Sequence, residues 1–387
     1  MTGSRRSALP TGGVTATRRE MLRSFGLAAA AAAAAASACS AEQVADSGVD
    51  RLRFLNWNDY IDEGPDGTVA RFERSTGVKV AYTPELNDNV EMYNRFAPDL
   101  RAGKRIPYDL LCPTFWMAER MLAEDLLDPL PIAELQNHAN LDVPFLQLPW
   151  DRGARYQMPY QVVVAGIAYN EALTGPVNSM GELLTRSDLA GKVSVLSEML
   201  DTVGLMLLAE GSDVTNVLVD DAQRSIARLR DLLASGHVAA IHDSEDYLAA
   251  LRDGTVHACV AWAGDIIQMQ RDDPSIKFVF PTEGAMRSFD TMVIPKGTPN
   301  RSAVAKWMNY LYDPSNAARV TRSIQYISPV LGVQVALERS GADGAELSNS
   351  PLLFPDAATR ARMFTWGGTT ADELDALLDD FAALQEG

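Results

Sequence analysis

The chain is 387 residues long, 47% apolar and 22% charged, a composition that suits folded domains and a length that suits two of them. Its formal charge is −17, from 51 Asp plus Glu against 34 Lys plus Arg. That acidity excludes a nucleic-acid binder, which needs a basic footprint, and leaves cations, neutral solutes and protein partners open. Three cysteines exclude a disulfide framework.

In chain order the first feature is an export address. Residues 1–38 hold five arginines and one acid, Glu20, so they carry +4 and the rest of the chain −21. Nine alanines follow at 28–36, a run well short of the roughly 18 apolar residues of a membrane span. A basic stretch, a short apolar run and small residues make a secretory signal. Thr17-Arg18-Arg19-Glu20-Met21-Leu22-Arg23 resembles the twin-arginine export motif. Ala36-Ser37-Ala38-Cys39 resembles a bacterial lipobox, with Ala36 where Leu is usual. Cys39 would then be the lipidated first residue of the mature chain, and 39–50 a polar tether.

From residue 51 strand-like and helix-like segments alternate. Strands are expected at 51–57, 78–82 and 108–112, and helices at 68–76, 89–102 and 115–124, with Gly77 and Gly103 as C-terminal stops. This βαβαβα order specifies a parallel sheet with helices on its faces. Further strands are expected at 162–169, 193–196, 238–241, 256–262, 276–280 and 289–294. Further helices are expected at 180–186, 202–210, 220–234, 245–252, 266–272, 303–311 and 371–384. Segments 295–299 and 341–344 read as loops. Cys112 and Cys259 sit in apolar strand-like runs and read as buried thiols; the sequence leaves a disulfide between them open.

The familiar catalytic signatures are missing. Gly103-Lys104 and Gly191-Lys192 lack the Ser or Thr of a phosphate-binding loop, and the sequence has no His-Glu-x-x-His and no Gly-x-Ser-x-Gly. The four histidines have no metal-ligand spacing. Such a chain leans toward binding.

Six strings in order carry a resemblance. They are Leu55-Asn56-Trp57-Asn58-Asp59-Tyr60-Ile61-Asp62, Tyr108-Asp109-Leu110-Leu111-Cys112-Pro113-Thr114-Phe115-Trp116, and Met158-Pro159-Tyr160 with Gly166-Ile167-Ala168-Tyr169-Asn170. Ala261-Trp262-Ala263-Gly264-Asp265, Pro281-Thr282-Glu283-Gly284-Ala285-Met286 and Ile294-Pro295-Lys296-Gly297 complete the set. Behind an export signal, they resemble the spermidine/putrescine-binding proteins of bacterial ATP-driven importers. The resemblance implies a two-lobed α/β fold of the type II periplasmic-binding-protein class. Its two parallel or mixed sheets, with flanking helices, would be joined by a two-strand hinge. Lobe one would be 51–163 with 290–336, and lobe two 164–289 with 337–387. Ligand would sit between them, at the C-terminal ends of the strands.

A polyamine is an apolar rod with ammonium groups. It calls for carboxylates at the charges, aromatic faces along the methylenes and hydroxyls for spare N–H donors. By the resemblance, Trp57 and Trp262 are aromatic walls, and Tyr60, Thr114, Trp116 and Tyr326 are further contacts. Asp59, Asp265 and Asp290 meet ammonium groups. Glu198 and Asp201 form an acid pair in inverted order relative to the family. The bland alternatives are core packing for the tryptophans, capping for Asp59 and Asp265, and solvated first-turn helix acids for Glu198 and Asp201. In Met286-Arg287-Ser288-Phe289-Asp290 the family has an aromatic where Ser288 stands. Ser288 removes a face of the amine box, and Arg287 introduces a cation beside it.

The expected function is capture of putrescine or spermidine and delivery to an ABC permease. The receptor would be monomeric and non-enzymatic, without cofactor or metal, on the outer face of the cytoplasmic membrane or in the periplasm. The competing readings are the same receptor class with another small amine or amino-acid-like solute, and an exported α/β hydrolase or lyase.

Overall fold

The computed structural model describes residues 51–243 and 246–385. The export segment, the tether and Cys39 lie outside the described residues. Within them the strands are β1 (Arg51–Trp57), β2 (Lys79–Leu86), β3 (Leu110–Leu111), β4 (Leu127–Asp128), β5 (Gln157–Asn170), β6 (Val193–Leu196), β7 (Val238–His242), β8 (Ala258–Trp262), β9 (Ile276–Val279), β10 (Ala285–Pro295) and β11 (Met363–Phe364). They run in the order β2-β1-β3-β10-β5-β8-β6-β7; β4 and β11 pair with β10, and β9 with β5. β1 is parallel to β2 and β3, and β6 to β7 and β8. Between these two parallel groups lie β5 and β10, antiparallel to each other. Both cross the boundaries expected between the lobes.

Local sequence explains the elements. Along β1 the alternation of side chains sends Leu52 and Phe54 into one apolar cluster and Leu55 into the other. Trp307, fully buried on the helix Arg301–Leu311, closes the first cluster edge-on against Phe54 and Phe72 at 5.9 and 5.0 Å. β5 is buried over all but its last residue, because strands flank it and side chains cover both its faces. β2 runs on through Pro84, which an edge strand tolerates. Asp109, just before β3, gives its carboxylate to Arg53. Arg53 N, Nε and Nη2 donate to it at 2.9, 2.9 and 2.8 Å.

Besides the single turns Glu171–Thr174 and Ala357–Arg360, three helices stand where the sequence reading placed none: Pro314–Ile324, Val333–Glu338 and Ala342–Ser348. The last begins inside the expected loop 341–344. Asp313 starts the first, accepting bonds from Ser315 N and Asn316 N at 2.9 and 3.4 Å, with Pro314 at the position proline favours. Cys112 and Cys259 are both buried free thiols, which removes the disulfide alternative.

Candidate functional site

Parallel strands end together. Trp57 ends β1, Leu86 ends β2, Thr114 follows β3, Ser197 and Glu198 follow β6, and Trp262 ends β8. All of them line one cavity of about 100 Å³. Tyr60, Trp116, Asp201, Asp265, Asp290 and Tyr326 line it too. The structure thus brings together every residue named from sequence except Asp59. That residue takes a left-handed backbone conformation, φ 47°, which leaves it exposed outside this cavity.

Asp290 lies where β10 crosses β5. It pairs with Gln161, the ladder shifts register after it, and it bridges to Thr114 on its other side. Its two oxygens are divided between hydroxyls. Tyr60 donates to Oδ2 at 2.7 Å and Thr114 to Oδ1 at 2.9 Å. Thr114 is itself held by Asn89, which donates to its Oγ1 and accepts from its N–H, each at 3.0 Å. Burial pushes the Asp290 carboxyl up to about 6 against the pull of those hydroxyls.

Asp201 is the third residue of the helix Met199–Ala209 and is 2% exposed, so it is no solvated first-turn acid. Trp262 Nε1 donates to it at 2.8 Å, and burial still raises its carboxyl to about 7. Glu198 stands at the N-cap of that helix, where its side chain makes no capping bond. Burial, helped by Asp201, raises its carboxyl well above the usual range. Asp265 is the third residue of the helix Ala263–Met269 rather than its cap. Tyr326 and Tyr247 each donate to it at 2.6 Å, and burial raises it. With Asp88, these make five carboxylates in a cavity whose lining contains no Lys, Arg or His. Aromatic faces surround them, with Tyr60 edge-on to Tyr326 at 5.0 Å.

Sequence reasoning missed several parts. Asn58, Asn87, Asp88 and Leu200 also line the cavity. Asp88 additionally caps the helix Asn89–Arg101, accepting from Glu91 N at 2.7 Å. The Asn-Asp-Asn run after a strand was the available signal. Ser288 and Val163 sit opposite each other on β10 and β5, and both line the cavity without an aromatic between them. Arg287, expected beside the amine box, is not there. The period of two turns it and Phe289 to the other face of β10, into a different cavity. Nε1 of Trp57 and of Trp116 is buried without a hydrogen-bond partner among the described residues. Among those residues, no three His, Cys, Asp or Glu side chains are grouped to hold a metal ion.

Gly264 packs against the ring of Tyr326 so closely that an added Cβ would stand 2.5 Å from it. Gly264→Ala must displace Tyr326 from Asp265. We expect a loss of about 1–3 kcal/mol in stability, read as a lower melting temperature of the free protein. An unchanged melt would contradict this packing.

The chain resembles known proteins along most of its length. It is 29% identical over 337 residues to the putrescine-binding periplasmic protein PotF of Escherichia coli K12, covering 81% of this chain and 85% of that one. It is 25% identical over 312 residues to spermidine/putrescine-binding periplasmic protein 1 of Haemophilus influenzae, covering 80% and 81%. A solved structure of a putative spermidine/putrescine ABC transporter from Listeria monocytogenes superposes with a TM-score of 0.74 at 25% identity, over 87% of this chain and 99% of that one. That likeness bears out the type II binding-protein fold. A sequence profile of the bacterial extracellular solute-binding proteins matches residues 67–353, and the chain belongs to that family.

Proposed function

We propose that this protein captures a polyamine, putrescine or spermidine, and hands it to the permease of an ABC importer. One observation carries the reading: five carboxylates and a set of aromatic faces share a cavity without a basic side chain. A buried carboxylate cluster needs a positive charge, and here the ligand must bring it. Asp290, Asp201, Asp265 and Glu198 would meet the ammonium groups. Trp57, Trp116, Trp262, Tyr60 and Tyr326 would cover the methylenes. Relatives named for the same ligands support it. Asp59, exposed and outside the cavity, would act at its approach rather than on the bound amine.

In this reading β5 and β10 are the hinge, with 51–163 and 290–336 as one lobe and 164–289 and 337–387 as the other. Ligand favours closure because both lobes contact it. The protein acts by binding alone, as a monomer without cofactor, exported and lipid-anchored through Cys39. Intact mass of the membrane fraction would show a diacylglyceryl adduct on wild type and none on Cys39→Ser; masses that differ only by the sulfur-to-oxygen exchange itself would end the anchor proposal.

A second reading has its own support. A fully protonated polyamine has no acceptor for the buried N–H groups of Trp57 and Trp116. A small amine that also carries a carboxylate or amide does, and the Ser288–Val163 wall gives it room. A thermal-shift and calorimetric screen separates the two, since a ligand of the native state raises the melting temperature by mass action. Putrescine, spermidine, cadaverine and agmatine form one arm, and amino acids and γ-aminobutyrate the other. A clear shift with the second arm and none with millimolar polyamine would replace the first reading by the second.

A further inference from the structure

The same strand that presents Asp290 to one cavity presents opposite chemistry to another. Ser288 and Asp290 line the acidic cavity, while Arg287 and Phe289 line a second of about 540 Å³. The two are distinct but adjacent, since Trp116 and Leu200 belong to both walls.

The second cavity is built from rings. Phe289 stacks on Phe115 at 5.0 Å with 20° between planes, and Phe145 meets it edge-on at 5.3 Å. Trp150 and Trp366 complete the aromatic lining. Its cations are Arg120, which pairs with Asp375, and Arg287. Arg287 is half-buried, and its Nε and Nη2 each donate to a single hydroxyl, Thr365 Oγ1, at a long 3.4 Å. It forms no ion pair with a carboxylate of the described residues, and Asp142 acts on it only through space. Of the two acids in the lining, Asp375 pairs with Arg120 at 2.6 Å, and Glu119, exposed at its rim, forms no ion pair with Arg287.

A guanidinium is a fork of donors suited to a carboxylate, and a partly desolvated one gains most from such a partner. Beside it stand rings that favour another flat ring. We propose that this cavity binds a small aromatic carboxylate, with Arg287 holding the carboxylate and the Phe115–Phe289 stack and Trp366 holding the ring. The seat is independent of the amine cavity and would stand if the amine proved to be another solute. A single cation without a carboxylate partner among the described residues, and aromatic walls, disfavour inorganic phosphate, which would need several donors and no rings.

The test uses the full chain and 3-phenylpropionate, its uncharged analogue 3-phenylpropan-1-ol, octanoate and inorganic phosphate. Calorimetry and tryptophan fluorescence report binding. The acid should bind in the millimolar range or tighter, and at least about tenfold more tightly than the alcohol or phosphate. Arg287→Gln should abolish the preference for acid over alcohol, and Arg287→Lys should restore part of it. Circular dichroism melts confirm that both variants fold, so a lost preference is not lost structure. Equal binding of acid and alcohol to wild type, an undiminished preference in Arg287→Gln, or no binding of the acid at 10 mM would each overturn the proposal. Tighter binding of octanoate than of 3-phenylpropionate would overturn the aromatic part.

Discussion

Asp290→Asn is expected to weaken diamine binding by about two to three orders of magnitude while leaving the fold intact. Asp290 is 5% exposed, and both oxygens are already held by the hydroxyls of Tyr60 and Thr114. Asparagine keeps the shape and one acceptor, and either hydroxyl can rotate to accept from its amide, so the pocket stays hydrogen-bonded. Only the charge is lost. Removing one partner of a buried charge pair costs about 2–5 kcal/mol, and each 1.4 kcal/mol is about tenfold in affinity. Calorimetric titration of putrescine and spermidine into both proteins measures it. A variant that binds within about threefold of wild type would show that Asp290 meets no ammonium.

The second large effect is with pH. In the free protein burial raises Asp290 to about 6 and Asp201 to about 7, while a bound ammonium favours their ionised forms and lowers both. Above pH 8 both are ionised and binding a dication moves no proton. Below pH 6 each must release a proton for the cation to be met by charge. Affinity is therefore expected to fall by about two orders of magnitude from pH 8 to 5.5, with protons released on binding throughout that window. Titrations in buffers of different ionisation enthalpy count those protons. The stability of the free protein moves the other way. These carboxyls titrate higher folded than unfolded, so their contribution is full below about pH 4 and is lost as pH rises through 6 and 7. Ligand-induced stabilisation should thus be larger at pH 8 than at 5.5. A pH-independent affinity would mean that these two carboxylates do not face the ligand's charge.

Much of this site was legible because chemistry and strand ends coincide in the sequence. Trp57, Trp262 and the residues after β3 and β6 stand where an apolar run stops, and parallel topology gathers such positions. Periodicity also placed Ser288 and Asp290 on one face of β10 and Phe289 on the other. The same rule applied to Arg287 would have kept it out of the amine box; adjacency in sequence was allowed to outweigh it. Asp59 shows the converse. Between Trp57 and Tyr60 it looks like a cavity residue, but one left-handed backbone angle places it outside. Tyr247 gave no signal. Its bond to Asp265 exists because the helix Asp246–Asp253 packs against β8, a tertiary fact. Asp313-Pro314, by contrast, is a helix start written in the sequence, an acid cap followed by proline at the first helical position.

The missing base in the acidic cavity reaches as far as the choice of laboratory buffer. Five carboxylates with no lysine or arginine among them select for positive charge before they select for shape. Tris is itself a protonated primary amine at neutral pH. Dissolved at tens of millimolar, it is present in vast excess over any solute under titration. Where it enters this cavity, an apparent affinity measured in it would be a competition constant, and a chain purified in it would arrive partly loaded. Phosphate, with exhaustive dialysis, reads the empty receptor instead.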